Sequence, residues 1–390
     1  MNQNVRNSPA EAHTITGVST SETAFVDFFA AGPLNEATRI QSFAEFERVF
    51  GGLDTRSESS YGIQQYFLNG GRVVWVVRVA GAHEPQTPEW IATEGAEAIL
   101  GRGGEQYGIY ALSNSGFNVL CLPAVAPLSA ASLKSVYDEA ARFCNEQRAF
   151  MIADIPPGID TPDQVVGWLN GSAITRDQNA AVYFPRVKIT DKLSGNPRNI
   201  GPSGTMAGVY ARTDAQRGVW KAAAGLDATL AGVDLVTTIT DTQNGVLNPL
   251  AINALRHFPG AGNVCWGART LAGADQLGSE WKYIPVRRTG LFLERSIYEG
   301  TNWAHFEPND ELLWEQIRTS VGTFMHSLFG SGAFQGSTPR EAYFVRCGLE
   351  VTTQADIDNG VVNIQVGFAP LKPAEFVVIK LQQLAAQGHE

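Results

Sequence analysis

The residues best suited to catalysis in this chain are a histidine, an aspartate and a serine that lie far apart in the sequence. His257 stands in RHFPGAGNVCWGART (256–270), a stretch dense in charged, aromatic and glycine residues. Ser203 as nucleophile, His257 as base and Asp154 as orienting carboxylate could form the triad of a subtilisin-like hydrolase. No oxyanion-type motif surrounds Ser203, however. The sequence therefore favours a structural role, in which Asp154 caps or braces the turn that follows it.

Other patterns that carry chemistry are missing from the sequence. It contains no HExxH, no GxSxG and no pair of histidines at ligand spacing. The glycine- and proline-rich stretch 191–208, which we predict to be a long loop, matches neither GxxxxGK[ST] nor GxGxxG. The cysteines are widely separated, which predicts buried free thiols at Cys121, Cys144, Cys265 and Cys347. We therefore predict no catalytic residues, no cofactor and no metal site.

The composition points to protein partners. Charged residues make up 17% of the 390 residues, below the usual value of about 25% for soluble domains. The net charge of −10 is spread without blocks, which disfavours a nucleic-acid surface. No apolar run reaches the ~18 residues that span a bilayer, and the N-terminus lacks the apolar region of a secretory signal. We expect a cytoplasmic protein that buries surface against other proteins and does not insert into membranes.

Helix and strand patterns alternate through the first part of the chain. Ser42 and Glu45 have the spacing of a capping box and predict a short helix that ends at Gly51. A second helix, 61–68, precedes a buried strand at 72–79. A strand at 118–125, a helix that begins after Ser129 and a strand at 149–155 then predict a right-handed βαβ unit.

The last third of the chain predicts a long helix and two strands. Apolar residues at helical spacing indicate a helix over Asp310–Phe329. Residues 362–368 alternate between apolar and other side chains, as in a half-buried strand. A further strand follows a spacer with two prolines, Pro370 and Pro373, close to the end of the chain. This strand could leave its own domain.

Several ordered motifs in the last third resemble the contractile tail sheath family of bacteriophages, R-type tailocins and related contractile injection systems. In chain order these motifs are NALRHFPGAGNVCWGARTL, EWKYIPVRRTGLFLERSI, TNWAHFEPNDELLW, FVRC, DIDNG and VGFAPLKPAEFVVIKL. The segments GVSTSETAFVDFFAAGPLNE, SFAEFERVFGG and YFLNGGRVVWVVRVAG also agree. The chain departs from the family at its start, MNQNVRNSPAEAHTITGVST, where members often have a Pro-Gly-Val-Tyr-type strand.

The resemblance implies an α/β fold with an outer domain of subtilisin-like topology, a C-terminal α/β inner sheath domain and extended terminal arms. We place an N-terminal arm at residues 1–20 and a non-catalytic outer domain at 21–255. The inner, tube-proximal domain then covers 256–372, and a C-terminal linker arm covers 373–390.

The resemblance also implies a function. Sheath subunits form a helical homopolymer, with six subunits per layer, around an inner tube protein, and contraction drives that tube through a target envelope. The other implied partners are baseplate proteins and tail terminator or cap proteins. Such particles assemble in the bacterial cytoplasm as a phage tail or as a released contractile particle.

Three sets of residues follow as candidates for assembly. The C-terminal strand is expected to add to the sheet of a neighbouring subunit, and it comprises Glu375, Phe376, Val377, Val378, Ile379, Lys380 and Leu381. The long helix is expected to face the tube through Glu311, Glu315, Arg318 and His326. A turn between domains is expected at Pro259, Gly260 and Gly262.

Two other classes of protein remain open from the sequence. One is a hydrolase-like α/β enzyme that uses His257 and Asp154. The other is a structural tube protein that polymerises and never shortens.

Overall fold

The computed structural model describes residues 13–80, 95–101, 103–171, 174–371 and 377–384. The chain divides into two compact units. One unit consists of residues 19–288, and the other combines residues up to 18 with residues from 289 onward. We call them the large unit and the small unit. Their second boundary falls inside the helix Ile284–Gly300.

An eight-stranded sheet forms the centre of the large unit. Most of its strands are runs of apolar residues buried along their length, as expected for parallel strands covered on both faces. The order across the sheet is β11-β10-β6-β5-β4-β1-β3-β2, and only the edge strands β2 and β11 run antiparallel to their neighbours. The strands are β1 (Thr23–Asp27), β2 (Thr38–Ile40), β3 (Val74–Arg78), β4 (Val119–Cys121), β5 (Phe150–Ala153), β6 (Ala180–Phe184), β10 (Ile252–Phe258) and β11 (Gly262–Cys265).

Helices that lie between these strands in the chain pack against the sheet. They are α1 (Phe43–Phe50), α2 (Glu58–Leu68), α3 (95–100), α4 (Ala130–Gln147), α5 (Pro162–Asn170), α6 (Ser203–Arg217) and α7 (Asp241–Leu247). The predicted cap of α1 is present, because the Ser42 side chain accepts a hydrogen bond from the Glu45 N–H. Ser129 caps α4 in the same way. Strands β4 and β5 pair in parallel on either side of α4 in the chain, as the βαβ prediction requires.

The prediction of a long loop over 191–208 is wrong. A smaller antiparallel sheet contains β7 (Val187–Thr190), β8 (Pro197–Ile200) and β9 (Asp234–Leu235) in the order β8-β7-β9. The Asp191 carboxylate accepts hydrogen bonds from the Leu193 N–H and the Ser194 hydroxyl, and these bonds close the turn between β7 and β8. Helix α6 then begins at Ser203. Strands β7 and β8 are too short to give a clear alternating pattern in the sequence.

The small unit contains helices and a three-stranded antiparallel sheet. Its helices are the end of α8 (Ile284–Gly300), α9 (Glu311–Gly330), α10 (Pro339–Ala342) and α11 (Gln354–Asp358). Its strands are β12 (Tyr343–Arg346), β13 (Val361–Phe368) and β14 (Val377–Leu384), in that order across the sheet. Asp310 caps α9 by accepting from the Leu313 N–H at 3.0 Å. The predicted long helix is therefore confirmed.

Residues 13–18, which we predicted to be part of an extended N-terminal arm, pack within the small unit. Ile15 is buried next to Gly300, and the Val18 N–H donates to the Ser296 hydroxyl at 3.1 Å. The ring of His13 stacks on that of Trp303 with 4.0 Å between centroids. Residues 1–12 of the proposed arm lie outside the described residues.

Candidate functional site

Two of the three residues of the imagined catalytic triad lie together. Asp154 directly follows β5, and Ser203 is the first residue of α6. The Ser203 hydroxyl donates to Asp154 Oδ2 at 2.5 Å, and the Ser203 N–H donates to Oδ1 at 2.9 Å. His257 lies elsewhere, at the exposed end of β10, where its Nδ1 is 2.9 Å from Asn263 Oδ1. The carboxylate therefore has a structural role, but it caps the start of α6 and not the turn that follows Asp154.

The Asp154–Ser203 pair is closed to solvent. Both residues are fully buried, and a Cβ atom placed on Gly201 would lie 2.3 Å from the Asp154 carboxyl carbon. The Tyr137 hydroxyl accepts from the Asp154 N–H and donates to the Asp154 carbonyl, each at 3.0 Å. Burial raises the pKa of Asp154 to about 7, although the Ser203 hydrogen bonds act to lower it. No substrate can reach this serine in the structure described.

A buried ion pair extends the cluster at the same end of the sheet. Glu58 Oε1 accepts from Arg186 Nη2 at 2.7 Å and from the Gly201 N–H at 2.6 Å. Arg186 is only 2% exposed, and its Nη1 donates to the Ile155 carbonyl at 2.8 Å. These bonds connect α2, the ends of β5 and β6, and the segment that leads into α6. No motif in the sequence points to Glu58 or Arg186.

A second buried ion pair was also missed by sequence reasoning. The side chains of Arg288 and Asp214 are 5% and 4% exposed, with Nη2 and Oδ2 separated by 2.6 Å. Arg288 Nη2 also donates to the Thr20 carbonyl, and the Thr20 hydroxyl donates to Asp214. The guanidinium lies 4.5 Å from the Tyr210 ring centroid. Residues at both ends of the large unit are thus fixed to α6.

The predicted turn at Pro259, Gly260 and Gly262 is not the boundary between the two units. It closes the β10–β11 hairpin, in which Phe258 pairs with Gly262. The two glycines adopt φ values of 87° and 76°, which favour glycine in a tight turn. This hairpin lies within the large unit, and the units divide instead between 288 and 289. Glycines of a hairpin and of a linker look alike in sequence, which explains the error.

Packing explains why charged and aromatic residues are concentrated around this hairpin. Arg256 lies 4.8 Å from the Phe258 ring centroid, and its Nη2 contacts Asp241 at 2.7 Å. The rings of Phe258 and Trp266 have centroids 4.5 Å apart. Cys265 is buried, and burial raises the pKa of its thiol to about 12. This thiol is therefore not a nucleophile at neutral pH.

The four tube-facing candidates lie on α9. Glu311, Glu315 and His326 are exposed, whereas Arg318 is partly buried. Arg318 Nη2 contacts Glu311 Oε1 at 2.6 Å, and its Nη1 donates to the Cys347 carbonyl. His326 Nδ1 lies 3.4 Å from the Tyr343 hydroxyl. The helix therefore presents a polar surface in which Arg318 is held in place.

The C-terminal candidates Val377, Val378, Ile379, Lys380 and Leu381 are part of β14. This strand pairs with β13 of the same chain, from Val361 opposite Leu384 to Phe368 opposite Val377. Glu375 and Phe376 lie outside the described residues. The predicted strand exists, and in the single chain it lies on its own unit's sheet.

In the described part of the chain, no group of three or more His, Cys, Asp or Glu side chains is placed to hold a metal ion. No helix in the same residues has the length and apolar character needed to cross a bilayer.

The sequence of this chain is similar to those of tail sheath proteins. Residues 277–383 match the model of the phage tail sheath C-terminal domain. The tail sheath protein of Vibrio phage KVP40 is 22% identical over 336 residues, which cover 77% of this chain and 49% of that protein. A putative prophage major tail sheath protein of Pseudomonas aeruginosa is 24% identical over 310 residues, covering 77% and 75%. This chain thus matches about half the length of the Vibrio phage protein.

Solved structures resemble the whole chain. The anti-feeding prophage helical sheath in its contracted state has a TM-score of 0.71 and 30% identity, covering 98% of both chains. The sheath complex of the extracellular contractile injection system PVC, also contracted, has a TM-score of 0.74 and 28% identity, covering 98% and 97%. The class of protein is therefore a structural subunit of a contractile sheath. The chain belongs to the contractile tail sheath family.

Proposed function

We propose that this chain polymerises into a helical sheath around an inner tube and shortens to drive that tube through a target envelope. The observation that carries this proposal is the likeness, over 98% of both chains, to a sheath captured in its contracted state. This mechanism needs no nucleotide. Its energy source is the metastable extended polymer built during assembly.

The units correspond to the two expected domains. The large unit is the outer domain with subtilisin-like topology, and its closed Asp154–Ser203 pair suits a non-catalytic role. The small unit is the tube-proximal domain. With this assignment the boundary between the domains lies after residue 288, whereas the sequence-based division has it after residue 255. Helix α9 then meets the tube through Glu311, Glu315, Arg318 and His326. Polar contacts of this kind let the tube slip free when the sheath contracts.

The C-terminal arm links neighbouring subunits. In the polymer, the strand that contains Val377–Leu384 adds to the sheet of the next subunit by main-chain hydrogen bonds. A strand that leaves its own body to pair with the next one keeps the two bodies joined while each rotates. Such a linkage survives a large change in polymer length.

The remaining partners follow from the same role. The particle has six subunits per sheath layer, an inner tube protein, a baseplate and a terminator or cap. Assembly takes place in the bacterial cytoplasm, and the product is a phage tail or a released contractile particle. If contraction buries roughly 400 Å² more apolar surface per subunit, the gross gain is on the order of 10 kcal/mol before ordering costs.

Electron microscopy tests the arm directly. The full chain and a version that ends at Pro373 are each purified and examined by negative stain with sheathless tube–baseplate particles. We expect striated tubes with the full chain and none with the truncated chain, because truncation removes the linking strand. Equal assembly by both versions would refute the linkage. As a check on the enzyme alternative, His257→Ala should assemble like the full chain.

A further inference from the structure

The edge of β13 that a neighbouring subunit would use is already occupied in the free chain. All eight residues of β13 have partners in β14, and Val366 in the middle of β13 faces Ile379. The other edge of β13 is covered over its last four residues by β12. A second copy of β14 can therefore join this edge only after the chain's own β14 has left it.

The connection between the two strands allows both arrangements. Residues 369–376 separate β13 from β14, a longer segment than the two to five residues usual in β-hairpins. It contains Pro370 and Pro373, so it lacks the sequence of a two-residue turn that would fix the pairing. Its first residue stays with the small unit, because the Ala369 N–H donates to the Ala342 carbonyl at 2.7 Å. An exchange would therefore pivot beyond Ala369.

The balance between the two arrangements depends on effective concentration. The same main-chain hydrogen bonds form whether β14 comes from the same chain or from a neighbour. A strand tethered through a short connection is held at an effective concentration of about a millimolar. Free subunits at micromolar concentration would then favour their own strand by roughly a thousandfold. A neighbour fixed at the end of a growing polymer presents its strand at a similar millimolar level, and the preference disappears.

We propose that β14 is a self-cap, which keeps free subunits from polymerising until a particle end offers a second copy's strand at high local concentration. This inference rests on the arm linkage of the proposed function and adds its regulation. It predicts that assembly starts on preformed particles and that spontaneous polymers of free subunits are rare.

A reversible disulfide across β13 and β14 tests the self-cap. Gln365 faces Lys380 in the register. The Asn363 N–H donates to Thr352 and so is not available to β14. Gln365, two residues further, has the same orientation, so Gln365–Lys380 is a non-hydrogen-bonded pair with Cα atoms about 4.5 Å apart. That distance lies within the range of disulfides.

The first measurement uses the isolated Gln365→Cys/Lys380→Cys chain under mild oxidation. Self-capping predicts a disulfide within one chain, which runs as a monomer on a non-reducing gel. Dimers linked by disulfides, or free thiols at both positions, would overturn the proposal. The four native cysteines are buried and do not compete.

The second measurement adds these subunits to sheathless tube–baseplate particles. We expect the oxidised chain to add at least tenfold more slowly than wild type, and reduction to restore the wild-type rate. A Lys188→Cys/Asn199→Cys chain, cross-linked between facing residues of β7 and β8, should add normally in both states. If the oxidised Gln365→Cys/Lys380→Cys chain adds at the wild-type rate, the self-cap is wrong. If wild type itself never adds to the particles, the proposed function is wrong, and the self-cap, which depends on it, is wrong as well.

Discussion

At the scale of single residues, groups that look catalytic in the sequence serve to hold the fold. Asp154 and Ser203 meet as a helix cap in a closed interior, while His257 remains at the surface. The burial of Asp154 was not visible from the sequence, because nothing local indicates that Tyr137 and Gly201 enclose it. The sequence did favour a cap over catalysis.

Asp154 should make the stability of the protein depend on pH. Its pKa rises from the ordinary value of 3.8 in the unfolded chain to about 7 in the folded chain. The folded state therefore holds the proton more tightly, and its stability falls as pH rises from about 4 to about 7. The contribution is about 1.4 kcal/mol per pH unit in that window. Urea unfolding of wild type and Asp154→Asn between pH 4 and 8 measures it.

The Asn variant should lose that slope, since an amide does not titrate. Above pH 7 it should be at least as stable as wild type, because no buried charge remains. An equal slope in both proteins would show that other groups govern the pH dependence.

At the scale of elements, strong periodic patterns were sufficient for several predictions. Helices α1 and α9 and strand β3 lie where their apolar spacing and caps place them. The β7–β8 hairpin escaped prediction because its strands are four residues each and its turn depends on the Asp191 side chain. The β10–β11 turn was taken for a turn between domains because a single segment of sequence does not reveal which strands pair across it.

The contact between α2 and α6 depends on a close approach of their backbones. A Cβ atom on Gly204 would lie 2.2 Å from the Gly62 carbonyl oxygen. We expect Gly204→Ala to lower the free energy of unfolding by about 1–3 kcal/mol, since backbone must move. Gly322→Ala on α9 is the control, because nothing lies within 4 Å of its new Cβ, and it should stabilise by ~0.5–1 kcal/mol. Chemical denaturation of both variants measures these changes. An unchanged free energy of unfolding in Gly204→Ala would contradict the close approach of α2 and α6.

The polar surface of α9 should bind the inner tube. Glu315 is exposed on this helix, and reversing its charge should weaken binding of subunits to sheathless tubes roughly tenfold, or about 1.4 kcal/mol. Co-sedimentation with tubes measures the change. Asp358→Lys, an exposed carboxylate on α11 of the same unit, is the matched control and should bind normally. Equal binding by the two variants would remove α9 from the tube interface.

At the scale of the whole molecule, the resemblance to sheath proteins predicted more about the protein than the helix and strand patterns did. Ordered motifs identified the family, which the likeness to contracted sheaths supports over the full chain. The division into units was harder to predict, because the small unit joins residues 13–18 to residues from 289 onward. Contacts such as Ile15 against Gly300 link segments that are distant in sequence, and no local signal encodes them.

Contraction requires that one polymer of this chain exists in two lengths. Cryo-electron microscopy of assembled particles, before and after triggering, measures the axial rise and diameter of the sheath. We expect two helical states with the same number of subunits, the second shorter and wider and separated from its tube. A sheath that keeps one rise and one diameter while the tube is released would contradict contraction and identify a static tube.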